Sequence, residues 1–153
     1  MPASEVRLAR GEDFGPLLAL LKLRHEEDGI GRFDESRVLA TLIKGIARDM
    51  AVIGVIRSGS GDIEASIGLF TAGWWYNTDT YITDLWNFVA PDHRKTTHAK
   101  RLLEFAKEAA VFLKRPLIMS KVLNERTEAM LRLYGRQLPK GGEFFVFRPP
   151  VAA

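Results

Sequence analysis

The stretch Asp84 to Leu103, DLWNFVAPDHRKTTHAKRLL, decides how the rest of the chain is read, because its character changes at Pro91. Before the proline, Leu85, Trp86, Phe88 and Val89 are aromatic and apolar residues that suit a pleated strand. After it, Ala99, Leu102, Leu103, Ala106, Ala109 and Leu113 recur at helical spacing, which predicts a helix starting near Thr96 or Thr97. Arg94, Lys95, Lys100 and Arg101 make the junction basic. A helix start presents unpaired backbone N–H groups and the positive end of the helix dipole, so a tight strand-to-helix turn of this kind suits a phosphate. Exposed cations at that end oppose the dipole by roughly 0.3–1 kcal/mol each, a cost that a bound anion offsets.

Working outward from this turn, the 153 residues suit one α/β domain over 1–153. Strands are expected at Val6–Ala9, Ala51–Ile56, Ile63–Ala72, Thr80–Val89, Leu117–Val122 and Glu143–Phe147. The first helix is capped by Asp13 and broken by the Gly-punctuated stretch HEEDGIGR; the second is capped by Asp34 and shares one face among Val38, Leu42 and Ile46. A third helix runs to about Lys114, and a fourth, capped by Asn124, runs to about Leu138. The order β-α-α-β-β-β-α-β-α-β gives a mixed central sheet of about six strands flanked by four helices. The third helix is a crossover that makes strands four and five parallel neighbours. The ending RPPVAA, residues 148–153, is expected to be a flexible tail.

Composition narrows the function classes. The balance of 22 basic and 19 acidic residues gives a net charge of +3, and the densest basic cluster is the turn itself, with no aromatic-lined basic stripe to suit nucleic acid. No apolar run approaches the ~20 residues that span a bilayer. Cysteine is absent, which excludes disulfides and thiolate metal sites, and the three histidines are too dispersed in sequence for a metal-ligand motif. With no apolar signal core at the start, a cytoplasmic protein without metal, membrane or nucleic-acid partners is expected.

Val89, Pro91 and Arg94, followed by Thr97 and Ala99, resemble the acetyl-CoA-binding signature V-x-P-x-x-R-x-x-G-x-G/A of the GNAT superfamily of N-acetyltransferases. Thr97 stands where the signature prefers glycine; its hydroxyl offers a donor to phosphate or a helix cap in place of glycine's freedom. The order of elements resembles the GNAT fold from end to end, ending after six strands where many members carry a seventh. The resemblance implies acetyl-CoA as co-substrate. Its pantetheine arm would run along the main chain of Asn87, Phe88 and Val89, and its pyrophosphate would sit on Arg94, Lys95, Thr96, Thr97, His98, Ala99 and Lys100. It also implies that Asn124 contacts the cofactor and that Tyr134, ten residues later, approaches the thioester sulfur. Ten residues at about 100° each fall about 80° short of three turns, which leaves both on roughly one side of the helix.

Acetyl transfer to an amine needs a base for the nucleophile and an acid for the leaving thiolate. Tyr134 is the candidate acid. Asp84 on strand four is a candidate base, and Glu26 and Glu27, expected between the first two helices, are rivals. Trp74, Trp75 and Tyr76 share a turn, a poor place to bury three aromatics, so Trp74 and Trp75 are expected to face an acceptor or a dimer partner, or to pack on the chain itself. The reading is thus an N-acetyltransferase acting on a small-molecule or peptide amine, as a homodimer. The alternative is a non-catalytic acyl-CoA-binding module on the same fold.

Overall fold

The apolar and aromatic residues around Asp84 form strand β4, Thr80–Val89, in the computed structural model, which describes residues 5–120, 127–141, 147 and 150. Along one edge β4 pairs antiparallel with β3, Ile63–Gly73, over its whole length. Along the other it pairs parallel with β5, Leu117–Ile118, only at Ile82 and Thr83. Strands β2, Ala51–Arg57, and β1, Arg7–Leu8, complete the order β1-β2-β3-β4-β5, every pairing antiparallel except the last. A parallel pair needs a crossover, and helix α3, His98–Leu113, supplies it. It covers one face of the sheet, where Leu102 and Ala106 pack on Ile56, Ile67 and Leu69. Helices α1, Phe14–Asp28, and α2, Glu35–Ala47, cover the other, where Leu17, Leu20, Leu21 and Leu42 pack on Ile53 and Val55. A shorter helix, α4, Thr127–Gln137, follows β5.

One irregularity sets the chemistry of β4. Gly68 of β3 faces Trp86, but Leu69 faces Asp84, so Leu85 is the extra residue of a β-bulge. In an unbroken strand, positions 82, 86 and 88 would share a face. Here Ile82 lies on the α3 side, whereas Trp86 and Phe88 lie on the side of α1 and α2. Gly68 makes room for this switch, since a Cβ there would come within 2.6 Å of the Trp86 ring. The indole N–H donates to Ser66 Oγ at 3.1 Å and that hydroxyl donates to the Gly54 carbonyl at 2.9 Å, so the polar groups carried into the core are paired.

Several sequence expectations change. Asp13 does not cap α1: its carboxylate is fully buried and accepts from Arg7 at 2.7 and 2.9 Å, from Arg57 at 2.8 Å and from the Arg10 N–H at 2.8 Å. Burial pushes its pKa up, but the Arg7 hydrogen bonds, the Arg10 N–H and the charges of Arg7 and Arg57 outweigh it and hold the carboxyl below the usual range. Asp34 does cap α2, accepting from the Arg37 N–H at 3.1 Å. Helix α1 runs on through His25, Glu26 and Glu27, because nothing in that run breaks a helix before Gly29. The two glutamates therefore belong to its last turns and not to a loop. The fifth strand stops at Ile118, because Ser120 turns both its N–H and its hydroxyl to Asp84. Five of the expected strands are present among the described residues. The expected strand Glu143–Phe147, the tail 148–153 and the Asn124 cap fall largely or wholly outside them.

Candidate functional site

Where β4 and β5 part, the sequence brings an acid and a phenol together. Asp84 Oδ1 accepts from the Ser120 N–H at 2.9 Å and from its hydroxyl at 3.1 Å, closing the paired end of the gap. Further along, Asn87 Nδ2 donates to the Tyr134 hydroxyl oxygen of α4 at 2.9 Å. From Asp84 to Val89 this edge of β4 has no strand partner among the described residues. Burial, and after it the charge of Asp84, push the Tyr134 pKa far above its ordinary value, against the opposing hydrogen bond from Asn87. The phenol therefore stays protonated. With its oxygen accepting from Asn87, its own hydrogen remains to be donated. Burial likewise raises the Asp84 pKa, opposed by the Ser120 hydrogen bonds and by the charge of Arg24.

The basic turn lies at the end of the same strand. Pro91–His93 form one turn of 3-10 helix, and α3 opens at His98. Thr97 makes no side-chain cap; Thr96 does that work instead, accepting from the His98 N–H at 3.2 Å while donating to the His93 carbonyl. Among the described residues no hydrogen bond takes the N–H groups of Thr97, Ala99 or Lys100. Lys95, Thr96, Thr97 and Lys100 are exposed around these donors. Arg94 turns inward: it pairs with Glu27 of α1, donates Nε to the Val89 carbonyl at 3.1 Å and lies over the Phe88 ring, 5.4 Å from its centroid.

A cavity of about 310 Å³ lies on the α1 and α2 side of β4. Leu85 and Trp86, displaced to this side by the bulge, form part of its wall, and Arg24, Arg32, Asp34 and Arg37 supply its charge.

No protein-family model matches the chain, and no curated protein matches it. Solved structures do. A ribosomal-protein-alanine N-acetyltransferase from Brucella melitensis biovar Abortus 2308 superposes with a TM-score of 0.75 at 16% identity, covering 95% of this chain and 99% of that one. A GNAT family acetyltransferase of Staphylococcus aureus gives 0.66 at 17%, covering 96% and 99%. AAC(6')-Iy, in complex with the bisubstrate analogue CoA-S-monomethyl-acetylneamine, gives 0.73 at 12%, covering 96% and 98%. The fold is that of the GNAT acetyltransferases.

Within this GNAT fold the expected residues divide into groups. Asp84, Asn87 and Tyr134 converge on the opening, and Arg94 to Lys100 form the turn beside it. Phe88 and Val89 are buried in the core on opposite faces of the sheet. Glu27 is committed to Arg94, Glu26 is exposed, and neither they nor Trp74 and Trp75 line the cavity. Trp74 packs on Tyr81 with ring centroids 4.4 Å apart, while Trp75 is 94% exposed.

Two of the three histidines are less dispersed in space than in sequence: His93 Nδ1 and His98 Nε2 approach the two oxygens of Glu64 at 3.2 and 3.0 Å, a group whose spacing would admit a metal ion. A ligating histidine normally donates its second ring N–H to an acceptor. His98 Nδ1 is buried without one, so the surroundings suit a hydrogen-bonded brace between β3 and α3 better than a metal centre. Ser120, the Asn87 side chain and the cavity arginines went unrecognised in the sequence. Arg32 sits in the Gly-punctuated connection, while Arg24 and Arg37 lie on the helices to either side of it, where they read as ordinary helix residues.

Proposed function

We propose that this chain is an N-acetyltransferase that moves the acetyl group of acetyl-CoA directly to an amine. The observation that carries the reading is the Asn87–Tyr134 hydrogen bond beside the edge of β4 that has no strand partner among the described residues. The pantetheine arm would add to that edge at Asn87, Phe88 and Val89, and the pyrophosphate would take the free N–H groups and the lysines between Lys95 and Lys100. Arg94 serves by fixing the turn through Glu27, and Asn124 is assigned to the cofactor by resemblance to the family.

The amine nitrogen attacks the thioester carbon, forming the C–N bond as the C–S bond breaks. The proton lost by the amine passes to Asp84, directly or through a water, and the departing thiolate takes the Tyr134 proton. A phenol with a raised pKa is a weak acid in water, but the same burial also raises the proton affinity of the thiolate it faces. A homodimer joined through the exposed Trp75 and Tyr76 belongs to this reading.

The test is thiol release from acetyl-CoA across a panel of amines and peptides, beside the melting temperature with acetyl-CoA. A raised melting temperature with amine-dependent release is expected. Stabilisation with no release above background on any amine would make the chain a binding module.

A further inference from the structure

The structure assigns a chemical class to the acceptor: a small amine carrying a carboxylate or phosphonate next to an apolar body. This rests on the acetyltransferase reading above and deepens it. The cavity against β4 holds about 310 Å³, the size for a molecule as large as an amino acid.

Its charge is one-sided. Arg24, Arg32 and Arg37 line it with one acid, Asp34, whose Oδ1 already caps α2, and Asp84 is the further carboxylate near Arg24. One oxygen of Glu27 is held by Arg94, and Glu35 pairs with Lys22. Among the described residues no salt bridge uses Arg24, Arg32 or Arg37, and the Arg24 Nε is buried without a hydrogen-bond acceptor. The planar fork of arginine matches carboxylate and phosphonate geometry, so three guanidiniums on one cavity wall suit an anionic group.

Position makes the anion useful. Arg24 lies close enough to Asp84 to oppose the rise of its pKa. An anionic group drawn onto Arg24 therefore brings the amine beside it toward the carboxylate that would take its proton. Leu21 and Phe33 give the remaining wall an apolar character that suits a side chain. Polycationic amines meet three arginines and are disfavoured.

The experiment compares matched acceptors: phenylalanine with phenylalaninamide, 2-aminoethylphosphonate with ethanolamine, and spermine as a polycation. In at least one pair the acid member is expected to have a kcat/KM at least tenfold higher, and the pair that shows it separates carboxylate from phosphonate recognition. Arg24→Gln and Arg37→Gln should each shrink that ratio at least threefold. A readout independent of turnover is calorimetry on the CoA-loaded protein, where N-acetylphenylalanine, or N-acetylated aminoethylphosphonate, should bind more tightly than its neutral counterpart. Equal handling within both pairs, preference for spermine, or ratios unchanged in both arginine variants would overturn the assignment while leaving the acetyltransferase standing. No stabilisation by acetyl-CoA and no thiol release with any amine would instead remove the acetyltransferase reading, and this inference with it.

Discussion

Asn87 on β4 donates to the Tyr134 hydroxyl on α4 at 2.9 Å, a buried hydrogen bond across 47 residues of sequence that holds the phenol at the edge β5 has left. Asn87→Leu keeps the bulk but removes the donor, leaving a buried hydroxyl unmatched at a cost of about 1–3 kcal/mol. Lower stability and a kcat reduced by less than in a Tyr134 variant are expected, measured by denaturant unfolding and thiol release. Wild-type stability and turnover would show that the bond positions nothing.

Asp84 should set the acid limb of the pH profile. Its pKa is raised, so turnover should fall as the pH drops through a value above the ordinary 3.8. The raised pKa also means that the ionised carboxylate costs the native state stability at every pH above the folded pKa. Asp84→Asn removes that charge while its amide oxygen can still accept from Ser120. At pH 7 it should leave the melting temperature unchanged or raise it, yet lower kcat by about 10²-fold. A lower melting temperature with unchanged kcat would return Asp84 to a structural role.

The turn opening α3 should fail as a phosphate site once a carboxylate is placed in it. Thr97→Glu and Ala99→Glu should each abolish the rise in melting temperature that acetyl-CoA gives the wild type, with circular dichroism confirming an intact fold. Thr97 is exposed, so its variant carries little risk to the core. An undiminished shift in both would move the pyrophosphate elsewhere.

Asp13 ties β1 and β2 to the start of α1 through Arg7 and Arg57. Its folded pKa lies below the unfolded value near 3.8, so its contribution is present above that pH and is lost as the pH falls through the depressed value. Asp13→Ala should cost about 3 kcal/mol at pH 7, the low end for a broken buried pair because both arginines keep some contact with water. It should also flatten the acid side of the stability curve, read by urea unfolding between pH 3 and 7.

Much of the fold is legible in the sequence because local rules govern it. The strand-like run before Pro91, the helical spacing from Ala99 to Leu113 and the Asp34 cap each follow from neighbours within a turn or two. What stayed hidden depends on partners far along the chain. Leu85 looks like any strand residue, and only its register against Gly68 and Leu69 makes it a bulge that turns Trp86 to the other face. Arg94 fits a phosphate loop by motif, but α1 runs far enough to bring Glu27 to it. Glu64, His93 and His98 meet only because β3 and the start of α3 lie side by side. The arginines between Arg24 and Arg37 gain meaning from the cavity they share, which no spacing records.

In the proposed reaction Tyr134 gives its proton to the departing thiolate, and Tyr134→Phe isolates that step when acetyl-CoA affinity is compared with single-turnover and steady-state rates. The ring and its packing survive, so binding of acetyl-CoA should stay within about threefold while kcat falls by roughly 10²–10⁴, the range of a positioned general acid. A variant that binds acetyl-CoA and turns over at the wild-type rate would show that another group protonates the sulfur.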